Sequence, residues 1–159
     1  MIKKFLTACV VLTAISCRQS TALTENEKTN IVKDVRASLD NYFSDIKKSG
    51  LTAEYKYLDN SSDFFWVPPG YTNAISYDSV AAILKENAPN SRSIDNSIDS
   101  LRIIPLSKEL ASYYARINST MIDTTGKAET FILIESGVWI KRHDGWKLLS
   151  GQTAVLNSK

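Results

Sequence analysis

Glu135 stands inside the most apolar run of the chain, Phe131-Ile132-Leu133-Ile134-Glu135-Ser136-Gly137-Val138-Trp139-Ile140. A carboxylate in such a strand must be paired, hydrogen-bonded or protonated, because a bare buried charge is very costly. One expectation is therefore a cavity acid with a raised pKa. The other is a cross-strand partner of Arg116, or a residue of a dimer interface. Tyr42, on the first helix, can offer its hydroxyl to a ligand or fill the core with that hydroxyl at the rim. Glu135 and Tyr42 are the catalytic candidates. Trp66, Tyr71, Tyr113 and Tyr114 can line an aromatic cavity or pack as core. His143 is the single histidine, so a histidine-based metal cluster is excluded, and its place in Arg142-His143-Asp144-Gly145 suits a solvated turn. Neither a Ser/His/Asp set nor a phosphate loop is present, and no cofactor or metal site is expected.

Hydrophobic spacing defines the elements that must position these groups. Thr24-Glu25-Asn26-Glu27 reads as a capping box, and Ile31, Val32, Val35, Leu39, Tyr42, Phe43 and Ile46 follow, their steps of three and four marking one helical face. The pattern predicts a helix over 25–48, closed by Lys47, Lys48 and Gly50. Leu51, Tyr55 and Leu58 predict a short second helix. Phe64-Phe65-Trp66-Val67 predicts a strand ended by Pro68-Pro69-Gly70, and Ser76 caps a third helix that Pro89 closes. Beyond Pro89 the period becomes alternating. Strands are expected over 92–105, 109–122, 128–142 and 146–156, with turns at Asp123-Thr124-Thr125-Gly126 and His143-Asp144-Gly145. Helices followed by an antiparallel meander indicate an α+β fold, with helices packed on one face of a curved sheet.

The first residues, MIKKFLTACVVLTAISCRQS, read as an address label. Lys3 and Lys4 precede an apolar run, Phe5–Ile15, of signal-peptide length and too short to span a bilayer. Leu6-Thr7-Ala8-Cys9 is locally the better lipidation motif, but cleavage there leaves only a stub of apolar run. Ala14-Ile15-Ser16-Cys17 has the full run upstream and a small residue before the cysteine. The expectation is a signal peptide over 1–16, Cys17 lipidated at the new N-terminus, a tether over 17–23 and one domain over 24–159. With Cys9 removed, Cys17 has no intramolecular disulfide partner. The protein is then exported and held to a membrane by its acylated cysteine. No acidic run follows Cys17, so the periplasmic side is expected. The full chain carries 19 Lys and Arg against 17 Asp and Glu. Losing Lys3 and Lys4 balances them, which leaves no electrostatic footprint for nucleic acid.

Three features carry a family likeness. They are the long first helix with its tyrosine (Asp40-Asn41-Tyr42-Phe43), the aromatic strand followed by Gly70 and the helix from Ser76, and the terminal hairpin GVWIKRHDGWKLLSGQTA. In this order they resemble the nuclear-transport-factor-two-like superfamily, with its SnoaL-like and ketosteroid-isomerase-like members, over residues 25–157. The resemblance implies a cone-shaped α+β barrel whose bent sheet wraps a cavity lined by the first helix. It also implies a homodimer through the open face of the sheet. The isomerases place a carboxylate base soon after the first helix and a protonated acid on a later strand, with a tyrosine reaching in from the helix.

In this chain the stretch after the helix reads Gly50-Leu51-Thr52-Ala53-Glu54, with Leu51 where relatives commonly show aspartate. Glu54 serves only if the short helix turns it inward, and it is expected to be solvated. Alternation puts Trp146, Leu148, Ser150, Gln152 and Ala154 on one face of the last strand, where relatives carry histidines and a serine. Ser and Gln are poor general bases near neutral pH. The family's catalytic positions are thus not clearly filled, and the reading leans against an enzyme. The expected ligand-binding set is Tyr42, Trp66, Tyr71, Tyr114, Glu135 and Gln152, and a small-molecule site requires Tyr42, Glu135 and Gln152 to converge on one pocket. The expected role is a membrane-anchored cone domain that binds a small apolar ligand, or a dimeric accessory module. The alternatives are an isomerase, cyclase or dehydratase acting on a lipophilic substrate, and an envelope interaction module with no ligand.

Overall fold

The computed structural model describes residues 22–156. The leader, Cys9, Cys17 and most of the proposed tether lie outside the described residues. Leu23, at the end of that tether, packs partly buried against the core.

Helix α1, Glu25–Ser49, begins with the expected capping box. The Thr24 hydroxyl accepts from the Glu27 N–H, and the Glu27 carboxylate accepts from the Thr24 N–H at 2.9 Å. Its buried stripe is Ile31, Val35, Leu39, Tyr42, Phe43 and Ile46, and Val32 of the predicted face lies half-buried at its edge. Gly50 ends it at φ 80°, a left-handed conformation that favours glycine. The following segment, Leu51–Lys56, is a 3₁₀ turn rather than an α-helix. Strand β1 is Phe65–Val67 and helix α2 is Tyr77–Asn87, capped by Ser76. A 3₁₀ turn at Ala88–Asn90 leads into the sheet.

Strands β2 (Ser91–Pro105), β3 (Leu110–Asp123), β4 (Ala128–Arg142) and β5 (Gly145–Leu156) form an antiparallel meander. β1 adds parallel to β5, so the order is β1-β5-β4-β3-β2 and the sheet is open. The helices lie on one face. The inward side chains of β3 from Ala111 to Ser119, namely Ala111, Tyr113, Ala115, Ile117 and Ser119, are buried, the first four with Trp139 and Leu148 beneath α1. Among the described residues no helix is long and apolar enough to cross a membrane.

One irregularity redirects side chains. Trp139 pairs with Leu148 but Val138 pairs with Ser150, so Leu149 is an extra residue in β5. Such a bulge reverses which side chains face inward beyond it. Trp146 and Leu148 point into the core as expected. After Leu149 the inward positions are Gly151 and Thr153, and Gln152 is exposed.

Candidate active site

The hollow of the sheet is roofed by α1, the 3₁₀ turn after it, and α2. It encloses a cavity of about 350 Å³, within the size range of drug-sized ligand sites. Tyr42, Phe43 and Ile46 come from α1, and Leu51 and Glu54 from the turn. The strands supply Trp66, Ile94, Ile117, Met121, Leu133, Glu135, Leu148 and Thr153, and α2 closes the side with Val80, Ile83 and Leu84. The wall is largely apolar and carries two carboxyl groups.

Glu135 is 6% exposed and accepts from the Tyr113 hydroxyl at 2.8 Å. Tyr113 faces Gly137 across β3–β4, one diagonal step from Glu135. Burial pushes the Glu135 pKa up from 4.5 to about 7, against the lowering effect of the Tyr113 hydrogen bond. Arg116, the alternative partner, pairs instead with Asp99 at 2.8 Å on the outer side of the sheet. No cation compensates Glu135 among the described residues.

Glu54 overturns the expectation of a solvated residue. It borders the cavity and accepts from the Tyr42 hydroxyl at 2.9 Å. Burial pushes its pKa up from 4.5 to about 7. The Tyr42 hydrogen bond opposes that rise, and the negative charge of Glu135 adds to it. The Glu135 charge reaches Glu54 because both carboxyls border one cavity. Both tyrosine hydroxyls are held well above the usual tyrosine range, chiefly by burial, and remain neutral donors.

Glu54 points inward because its short turn is fixed at several places. The Asp59 N–H donates to the Leu148 carbonyl at 2.8 Å, and the Leu148 N–H donates to the Tyr57 carbonyl at 2.7 Å. Tyr57 donates to Asp45 on α1 at 2.6 Å, and Tyr55 donates to the Ala81 carbonyl of α2 at 2.8 Å. Buried Asp59 then receives two 2.8 Å hydrogen bonds from Arg142 at the end of β4. A paired fork of this kind fixes orientation as well as position.

Of the expected ligand-binding residues, Tyr42, Trp66 and Glu135 line the cavity. The Trp66 indole N–H donates to the Thr153 hydroxyl at 3.1 Å, and its ring lies over Gly151, where an added Cβ would sit 2.6 Å from ring carbon. Tyr71, Tyr114 and Gln152 do not line it. Tyr71 is 48% exposed, carried away by the turn in which its N–H donates to the Pro68 carbonyl. Tyr114 is 41% exposed, on the opposite face of β3 from Tyr113. The bulge at Leu149 points Gln152 outward, so the expected meeting of Tyr42, Glu135 and Gln152 on one pocket does not occur: Tyr42 and Glu135 line the cavity, and Thr153 stands where Gln152 was expected. Tyr113 was recognisable from alternation, which puts it with Ala115 and Ile117 on the inner face. Glu54 and Thr153 required knowledge of a turn and a bulge. Among the described residues no group of three or more His, Cys, Asp or Glu gathers as a metal site.

No family model matches the chain, and no curated protein sequence matches it. Solved structures do. A nuclear transport factor 2-like superfamily protein from Salmonella enterica superposes with a TM-score of 0.69 at 14% identity, covering 82% of this chain and 94% of that one. A structure described as a proposed scytalone dehydratase from Novosphingobium aromaticivorans gives 0.74 at 10% identity, with 84% and 89% covered. A hexachlorocyclohexane dehydrochlorinase gives 0.67 at 9% identity, with 84% and 90% covered. At these identities the likeness is one of fold.

Proposed function

From the nuclear-transport-factor-two-like cone fold that this chain adopts, we propose that the domain binds a small, largely apolar molecule in its cavity and acts on it by proton transfer. The observation that carries this reading is the pair Glu54 and Glu135. Both border one cavity, each is held by a tyrosine hydroxyl, and no cation accompanies either among the described residues. Two coupled carboxyls titrating near neutrality favour a state with one proton between them. The ionised member can take a proton from carbon, while the protonated member donates to an oxygen or leaving group of the substrate. In an isomerisation the proton returns to another carbon. In an elimination, a C–H and a C–X bond break, a C=C bond forms, and HX leaves. The pair then regains its starting state by exchanging a proton. Tyr42 and Tyr113 orient the carboxylates, and the apolar wall keeps water away. Two of the solved structures of this fold are described as a dehydratase and a dehydrochlorinase, both names for eliminations.

The test is exchange of deuterium from D₂O into the carbon next to the carbonyl of small lipophilic ketones, in the presence of the protein. Glu54→Gln and Glu135→Gln are each expected to slow protein-dependent exchange by about 10²-fold or more. Exchange that persists unchanged in both variants would count against the proton-transfer role.

We also propose that the domain works in the cell envelope, exported and anchored through acylated Cys17 on the periplasmic side, and that it pairs with a second copy. What favours pairing is the outer sheet face, where Ile132, Ile134, Val138 and Ile140 alternate outward beside exposed Ile104 and Tyr114. Native mass spectrometry of protein from its own host should give a dimer whose chains begin at Cys17 with added acyl mass. A monomer, or an unmodified Cys17, would contradict the corresponding part.

A further inference from the structure

The polarity of the cavity points to the class of molecule that enters it. This inference rests on the reading that the cavity is a ligand site. Among the described residues, Glu54 and Glu135 are the only charged groups in the lining, and no Lys, Arg or His borders it. The titratable groups facing the pair are Tyr42 from α1 and Tyr113 from β3. β1, β2, β5 and α2 add none to the lining. An anionic ligand would therefore meet like charge with no counter-ion.

The hydrogen bonds make the same point more sharply. The Tyr42 and Tyr113 hydroxyls and the Trp66 N–H are all committed as donors within the wall. Tyr42 donates to one oxygen of Glu54, and Tyr113 to one oxygen of Glu135. Among the described residues the second oxygen of each receives no side-chain donor. The free carboxyl oxygens and the unpartnered Oδ1 of Asn96, which also lines the cavity, are acceptors that a donor group on the ligand matches, and Ser119 adds a hydroxyl. Phe43 and the Trp66 ring border the same space. Aromatic faces attract a cation and also cover its apolar body.

We propose that the cavity selects a lipophilic amine, held as its ammonium by Glu54 and Glu135. Desolvating an ammonium is costly, and it is offset only where well-placed anions complete its hydrogen bonds. This wall has two carboxyl groups that lack a cation among the described residues, and the proton held between them leaves as the ammonium binds. An ammonium between them favours the charged form of all three groups.

The test uses phenethylamine, phenethyl alcohol and phenylacetate as size-matched probes, with binding measured calorimetrically at pH 5 and pH 8. The amine should bind at least tenfold more tightly than the alcohol at pH 8, and phenylacetate should bind most weakly. The preference for the amine should shrink at pH 5, where the pair is protonated. Glu54→Gln and Glu135→Gln should each reduce it about tenfold at pH 8. An alcohol that binds as tightly as the amine at pH 8, or an amine that does not bind, overturns the assignment. In either case the proton-transfer reading stands if ketone exchange still depends on the two carboxyls. If exchange is also indifferent to the Gln variants, both fail.

Discussion

At the residue scale the central fact is that buried Glu135 and half-buried Glu54 are each held by a tyrosine hydroxyl and by no cation among the described residues. A rise from 4.5 to about 7 corresponds to on the order of 3 kcal/mol disfavouring the ionised form of one such carboxyl. The sign for folding follows. Between about pH 4.5 and 7 the folded chain holds protons on Glu54 and Glu135 that the unfolded chain has released. Stability therefore falls as pH rises through that window and levels off above it. The other displaced carboxyls, Glu27, Asp45, Asp59, Asp123 and Asp144, are all shifted downward and titrate below the window. Urea unfolding should thus show wild-type protein losing a few kcal/mol between pH 5 and pH 8. Glu135→Gln, whose amide oxygen can still accept from Tyr113, should show a clearly shallower loss. Equal slopes for the two proteins would mean that Glu135 ionises freely in the folded state.

At the element scale most of the fold was legible in the sequence. The capping box, the buried stripe of α1, the Ser76 cap and the four long strands follow from periodicity and turn residues, which act locally. Glu135 and Tyr42 were legible for the same reason: one breaks an apolar run, and the other lies on a helical stripe. The rest of the site depends on two departures from regular geometry. Leu149 bulges out of β5, and alternation counted from Trp146 then assigns Gln152 to the wrong face and overlooks Thr153. The turn carrying Glu54 is a 3₁₀ segment whose direction is set by distant groups: Leu148 on β5, Arg142 on β4, Asp45 on α1 and Ala81 on α2. No local pattern encodes such contacts. Local pattern alone therefore leaves Glu54 solvated, although the resemblance marks the stretch after the first helix as the place for a carboxylate.

At the scale of the whole molecule, an open sheet roofed by α1 and α2 gives a hollow with apolar walls and an acidic centre. The outer face of the same sheet carries Ile132, Ile134, Val138 and Ile140, on which the proposed pairing with a second copy rests. The function assigned to the hollow depends on Glu54 and Glu135 behaving as one coupled pair rather than as two independent acids. The most direct test is a carbon-13 NMR pH titration of their side-chain carboxyls in the folded protein, assigned with the two Gln variants. Both carboxyls should titrate near pH 7, and Glu135→Gln should move the Glu54 midpoint downward. Either carboxyl titrating at its ordinary value near 4.5, or a Glu54 midpoint unmoved by Glu135→Gln, would contradict the account.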